Sequence, residues 1–407
     1  MPKIRLLVLL ATFIIVGIFA TLVSFYARGF RINTRTLKVS QNGLLVLKSV
    51  PDSAQIFING ELNSATNATI SLLSGTYDVS IKKEGFMDWN KRVTIKKEEV
   101  TEATAHLFKI TPSFSAITFS GASNPLPSPD MTKIAYFVYT DSNNSQNDGL
   151  WIIETVNLPL GFARDPRKVT DGNLTESEII WSPNSREILL STSYGSFILD
   201  AASYTPQSRL VNVAGTKASI LANWEEERQL KLKAQLKKLP IELSSVLERK
   251  SSALVFSPDE DMILYTASGS ALIPDNLVKP LPGASTQKQE RDIKDGQTYI
   301  YDIKEDKNFL ITEDEVALNG WVDYEQRNKI GNSKRSLAWY PTSRHVILSE
   351  PNNIIIMDYD NTNQQVIYSG VYTTPHAYPT LSHDRLLFLT NFGATDKPAD
   401  IYSLNIK

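Results

Sequence analysis

Phe256-Ser257-Pro258-Asp259, followed by Ile263-Leu264-Tyr265, is one of five copies of a pattern that decides the fold of most of this chain. The other copies are Ser128-Pro129-Asp130 into Ile134-Ala135-Tyr136, Trp181-Ser182-Pro183-Asn184 into Ile188-Leu189-Leu190, Trp339-Tyr340-Pro341 into Val346-Ile347-Leu348, and Leu381-Ser382-His383-Asp384 into Leu386-Leu387-Phe388. Each is a tight turn that opens directly onto an apolar run too short for a helix, so each run reads as a strand buried on both faces. A further apolar strand follows every copy: Leu150-Trp151-Ile152-Ile153, Ser196-Phe197-Ile198-Leu199-Asp200, Tyr299-Ile300-Tyr301-Asp302, Ile354-Ile355-Ile356-Met357-Asp358 and Ile401-Tyr402-Ser403-Leu404. Repetition on this scale is the mark of an array of identical supersecondary units. It predicts a degenerate β-propeller over residues 109–407 with five or more blades, in which the strand at 401–406 pairs with residues near 107–120 and closes the ring.

Working outward, two insertions interrupt the repeats. Residues 223–250 read as a helical hairpin, with Asn223 as the cap, glutamates at 225–227 near the N-terminus and lysines toward 237–238. Leu232, Leu236, Leu239, Leu243 and Val246 form one apolar stripe, and Pro240 starts a second helix or kinks the first. A helix packed on the propeller flank is the first expectation for this segment, and a partner-docking element the second. Residues 271–296, with Pro274, Pro280, Pro282 and Gly283, read as a long surface loop.

Before the repeats, residues 43–108 alternate with period two and form a small β-sandwich. Asn59-Gly60 is a hairpin turn because both of its central residues need positive φ. Residues 28–42 link this block to residues 1–27, which hold an uncharged apolar run at 6–26. A helix of that length crosses a hydrocarbon core of about 30 Å. The bulky Ile18 and Phe25 stand at the −3 position of both candidate cleavage sites, so an uncleaved transmembrane anchor is expected rather than a signal peptide. Lys3 and Arg5 precede the run, while Arg28, Arg31, Arg35 and Lys38 follow it, so charge bias is balanced. The length of the tail and of the following domains favours placing those domains outside the cytoplasm. The fold class expected from the sequence is therefore all-β with one N-terminal transmembrane helix.

Two families resemble these blocks. Pro51-Asp52-Ser53-Ala54, Ile56-Phe57-Ile58-Asn59-Gly60, Gly75-Thr76-Tyr77 and Gly85-Phe86 with Trp89 resemble the PEGA domain, with Ser53 where the motif has Gly. The resemblance implies an immunoglobulin-like binding or spacer module without catalysis. The Ser-Pro-Asp repeats are similar to the WD40-like blades of TolB-type propellers and of those attached to prolyl oligopeptidases, with Met131, Ser185 and Glu260 where that signature has Gly.

Chemistry-bearing motifs are sparse in this sequence of 407 residues. It has no cysteine, which excludes disulfides, thiolate metal sites and cysteine nucleophiles. The net charge of −2 gives no reason to expect nucleic acid. There is no Gly-x-Ser-x-Gly elbow or phosphate loop, and His106, His345, His376 and His383 show no metal-ligand spacing. No cofactor, metal or catalytic residue is expected. Trp321, beside Gly320, is the one candidate ligand platform. The leading expectation is a membrane-anchored cell-envelope scaffold that meets lipid through its anchor and presents the propeller to a protein or glycan. The alternatives are an extracytoplasmic sensor that signals through a membrane partner, and a glycan lyase or hydrolase. The enzyme reading needs groups such as Asp171, Glu178, Arg335 and His376 to converge on the axis.

Overall fold

The computed structural model describes residues 2–27, 30–32, 39–139, 146–157, 164–279, 285–319 and 334–407. They are mostly β-strand and divide into two compact units. The first is Met1–Leu107, joined by a short later segment in which the Thr286 hydroxyl donates to the Arg92 carbonyl at 2.6 Å. The second comprises Phe108–Lys279 and Lys288–Lys407.

In the first unit, helix α1 (Pro2–Ala27) precedes two four-stranded sheets. One sheet runs Phe30–Ile32, Val39–Val50 and Ala68–Leu73, with Val100–His106 parallel to Val39–Val50. The other runs Glu61–Ala65, Gln55–Ile58, Gly75–Lys82 and Trp89–Ile95. Alternate residues point inward, and Leu45, Leu47, Ile56, Ile81, Trp89 and Ile95 form the shared core of a sandwich. Asn59 and Gly60 take φ of 49° and 84°, as the hairpin requires. Ser53 holds φ of 58°, so the left-handed geometry of the motif's glycine persists without the glycine.

The expected membrane anchor is corrected by the structure. Among the described residues no helix is long and apolar enough to cross a membrane. The transmembrane element of the fold class, the single-pass membrane location and the extracytoplasmic placement built on it fall with this finding.

Among the described residues the second unit consists of five successive larger sheets, a two-stranded one and a helical pair. The first sheet is Ser123–Pro127, Lys133–Val138, Gly149–Glu154 and Arg167–Asp171; the second is Glu178–Trp181, Glu187–Thr192 and Gly195–Asp200. The third is Ser251–Phe256, Met262–Ala267, Thr298–Asp302 and Lys307–Thr312. The fourth has five strands, Ala317–Asn319, Ser336–Trp339, His345–Glu350, Asn353–Asp358 and Gln365–Ser369. The fifth combines Ala377–Pro379, Arg385–Thr390 and Asp400–Asn405 with the early strand Ser113–Ala116. The pairing expected between the C-terminal strand and residues near 107–120 forms, with Tyr402 opposite Ala116 and Asn405 opposite Ser113.

Period-two alternation gives each sheet two buried faces, and the cores show what covers them. Phe137, Leu150 and Ile152 of the first sheet meet Ile188, Leu190 and Leu199 of the second. On its opposite face Ile134, Tyr136 and Ile153 meet Tyr378, Leu387 and Ile401 of the fifth. The fifth touches the fourth through Phe388 and Tyr368, whose ring centroids lie 4.7 Å apart. Leu264, Ile300 and Phe309 of the third sheet meet Leu337, Trp339 and Val346 of the fourth.

The remaining interval, between the second and third sheets, belongs to the helices α2 (Lys217–Leu236) and α3 (Ile241–Lys250). Leu236, Leu239, Leu243 and Leu247 pack on Ile263, Tyr265, Tyr299 and Tyr301, the face of the third sheet turned away from the fourth. On the other side Lys217 Nζ donates to Ser191 Oγ at 2.9 Å and Lys231 Nζ to the Pro183 carbonyl at 3.3 Å, both on the second sheet. The pair thus stands between two sheets rather than on a flank. Asn223 lies inside α2 instead of capping it, and Pro240 is the N-cap of α3. Within the insertion at 271–296, expected as a loop, Ala271–Leu272 pairs with Asp292–Ile293.

Candidate functional site

The five repeated turns are built by one set of bonds. A backbone N–H reaches back three residues in every copy: Met131 to the Ser128 carbonyl (2.9 Å), Ser185 to Ser182 (3.0 Å), Glu260 to Ser257 (2.9 Å), Ser343 to Tyr340 (3.0 Å) and His383 to Thr380 (3.1 Å). The donors have φ of 59°, 60°, 60°, 59° and 60°. These are the positions where the propeller signature carries Gly, and the left-handed conformation survives its replacement at a cost of about 1 kcal/mol each. Side chains lock three turns identically. Ser128, Ser182 and Ser257 donate to Oδ1 of Asp130, Asn184 and Asp259 at 2.7, 2.8 and 2.7 Å, and each serine oxygen accepts the N–H five residues on. The serine and the Asp or Asn of the motif are therefore consumed inside their own turns. Burial pushes the Asp130 and Asp259 carboxyls up, but these donors outweigh it and hold both below the usual carboxylate range.

The residue replacing glycine also ties sheets together. Asp130 N–H donates to Ser185 Oγ at 3.2 Å, from the first sheet's turn to the second's; Asp259 N–H donates to Ser343 Oγ at 3.0 Å, from the third's to the fourth's. The inner-strand aromatics repeat the logic. Trp181 Nε1 donates to the Leu126 carbonyl, and Trp339 Nε1 to the Val255 carbonyl, both at 3.1 Å. Tyr378 Oη joins the fifth sheet to the first by donating to the Pro125 carbonyl at 2.9 Å.

So held, the turns converge. The residue following the first of each turn, Pro129, Pro183, Pro258, Pro341 and Leu381, lines one cavity of about 740 Å³. Leu254, Phe256 and Trp339 add apolar wall, α2 contributes Arg228, Lys231, Leu232 and Gln235, and the turn after it contributes Lys238. The helix is fastened to the third sheet's turn by Glu260, which accepts from Gln235 Nε2 at 2.9 Å and from Lys238 Nζ at 2.7 Å. Those two bonds pull the Glu260 carboxyl below its ordinary range.

Trp321 falls outside the described residues. Asp171, Glu178, Arg335 and His376 do not line the cavity. Asp171 accepts from Tyr204 Oη (2.8 Å) and the Gln207 N–H (2.7 Å), and Glu178 is exposed at a strand start. Arg335 donates to Glu350 at 2.9 Å and also pairs with Asp314. His376 Nδ1 lies 2.6 Å from Tyr378 Oη, and burial pushes its pKa down to about 4. Among the described residues no group of three or more His, Asp or Glu is placed to hold a metal ion.

Sequence reading missed the cavity although its signal was present: Pro recurs at one position of four repeats, and Arg228, Lys231, Gln235 and Lys238 recur at three- and four-residue spacing.

Residues 42–111 match the family described as PEGA domain. No curated protein matches the chain. Among solved structures the chain is similar to a putative TolB from Agrobacterium tumefaciens at 13% identity, over 70% of this chain and 78% of that one, with a TM-score of 0.22. It is also similar to an oligogalacturonate lyase in complex with manganese, at 9% identity over 81% and 74% of the two chains with a TM-score of 0.23. An acylaminoacyl peptidase from Pyrococcus horikoshii matches at 10% identity over 72% and 39%, with a TM-score of 0.21. Likenesses this distant carry no argument about what the chain does.

Proposed function

We propose that this chain is a binding protein whose second unit takes a segment of another polypeptide into the cavity ringed by the five turns. One observation carries the reading: the same position of all five repeats faces the same cavity, so the repeat itself builds the site. A volume of about 740 Å³ is of the size that small ligands and peptide side chains fill. Recognition of a sugar needs several fixed polar groups aimed at its hydroxyls. Here the motif serines and aspartates are spent within their turns, and prolines, Leu254, Phe256 and Leu381 form much of the wall. Such a surface favours apolar peptide side chains over a glycan.

Leu381→Trp tests the proposal, because position 381 does not hold a left-handed φ and the larger ring takes space on the cavity wall. Peptides selected from a displayed random library on the intact chain should lose at least about tenfold in affinity for the variant. Peptides that bind both proteins equally, or envelope oligosaccharides whose binding is abolished by the same substitution, would overturn it.

A further inference from the structure

The charged groups around the cavity are sorted by element. Its cations, Arg228, Lys231 and Lys238, all come from α2 and the turn that ends it; its anions, Asp130 and Glu260, come from the turns of the sheets. Spacing of three, seven and ten residues from Arg228 puts Lys231, Gln235 and Lys238 on one helical face. The two anions are occupied. Asp130 Oδ1 accepts from Ser128 Oγ, Thr132 N–H and Thr132 Oγ1, and Glu260 is held by Gln235 and Lys238. Arg228 and Lys231 instead pair with Glu225 and Glu227, residues of the preceding turn that do not line the cavity. Those pairs lie along the helix surface, with Glu225 and Glu227 44% and 41% exposed. The Lys231–Glu227 pair is of the exposed, weak kind, whereas Arg228 holds both Glu225 oxygens through Nε and Nη2 and Lys231 also donates to the Pro183 carbonyl, so a carboxylate in the cavity joins these cations or competes with their present partners.

On the reading that the cavity takes a peptide, we infer that its ligand carries a carboxylate, which Arg228 and Lys231 on the cavity face of α2 receive while its apolar neighbours contact the ring of prolines. The helical pair that fills the interval between the second and third sheets is then the specificity element of the site. The five turns supply the apolar ring and two anions already held by their own donors, and the helical segment supplies the cations. The carboxylate is that of an acidic side chain or of a peptide C-terminus, and the experiment separates the two.

The test uses the full chain and fluorescent peptides in three pools that share one background of Ala, Leu, Pro and Ser. Their variable positions are drawn from Asp and Glu, from Asn and Gln, or from Lys and Arg, and each pool is made with a free and with an amidated C-terminus. Fluorescence anisotropy should show the acidic pool binding about tenfold tighter than the neutral one, an advantage that shrinks as salt is raised. In the Arg228→Gln, Lys231→Gln double variant, checked for unchanged thermal unfolding, acidic and neutral pools should bind alike. Arg228→Glu should turn the preference toward the basic pool. An advantage that follows the free terminus in every pool assigns the carboxylate to the C-terminus; one that follows Asp and Glu assigns it to side chains. Equal binding of acidic and neutral pools to the intact chain, abolished in both by Leu381→Trp, overturns the charge selectivity and leaves the peptide reading standing. Failure of all pools to bind overturns both.

Discussion

The seam between the third and fourth sheets and the interval between the second and third show two ways of joining neighbours in this ring. The sheet–sheet seam is made of direct contacts: Trp339 Nε1 donates to the Val255 carbonyl, Ser343 Oγ accepts from the Asp259 N–H, and Leu264, Ile300 and Phe309 meet Leu337 and Val346. The helix-filled interval is lopsided. Four leucines seal α2 and α3 to the third sheet, while bonds from Lys217 and Lys231 reach the second. A seam of sheets can present only turns to the axis. A helix in the same place presents a whole face of long side chains, and that is how cations reach a cavity whose turns supply prolines, Leu381 and the anions Asp130 and Glu260.

The strongest way to break the comparison is to empty the leucine side of the helical interval. Leu247 is fully buried, so Leu247→Ala should cost about 2–5 kcal/mol in chemical denaturation of the second unit. A loss below about 1 kcal/mol would mean that the helices are loosely docked. At the sheet–sheet seam, Trp339→Phe keeps a ring and removes the donor to Val255, for an expected loss of about 1–3 kcal/mol.

Acid separates another seam. His376 sits against Tyr378, which links the fifth sheet to the first, and burial lowers its folded pKa to about 4 from an ordinary 6.5. A depressed imidazole contributes stability above its unfolded pKa and loses it as pH falls toward the folded value. Stability should therefore decline between about pH 6.5 and pH 4, and His376→Gln should flatten that limb in denaturation curves. A limb of unchanged slope would remove His376 from the seam's energetics.

The smallest effects sit in the turns. Met131→Gly relieves a left-handed residue that ties no neighbouring turn and should stabilise by about 0.5–1 kcal/mol. Ser343→Gly relieves the same strain but gives up the bond from Asp259, so its effect should be close to zero. Equal gains at both positions would show that the serine tie contributes nothing.

The turns were legible because their chemistry is local: a serine, a proline and a carboxylate within three residues close the same bonds wherever they occur. The fourth and fifth copies depart in sequence, with Thr342-Ser343 and Ser382-His383, yet keep the reach-back bond and the positive φ. The apolar stripe of the helical pair was legible for the same reason, since Leu236, Leu239, Leu243 and Leu247 follow helical spacing. The start of α2 was not. Thr216 makes no side-chain cap bond, so nothing local marks the true beginning, and Asn223 in a run of glutamates imitates one. The placement of the helices between two sheets, and the cavity that results, depend on contacts between residues far apart in the chain, which no local pattern encodes. The apolar run at 6–26 shows the opposite failure: composition alone suggested a span that the described helix does not provide.

The account's central claim is that the five turns form one site, and crosslinking from its rim tests that most directly. A benzophenone amino acid placed at Met131, a turn residue on the cavity wall, and separately at the exposed Phe119 outside the cavity, is irradiated with a peptide selected for binding. The account predicts covalent capture from position 131 and none from 119. Capture from 119, or none from 131 while the peptide remains bound, would contradict it.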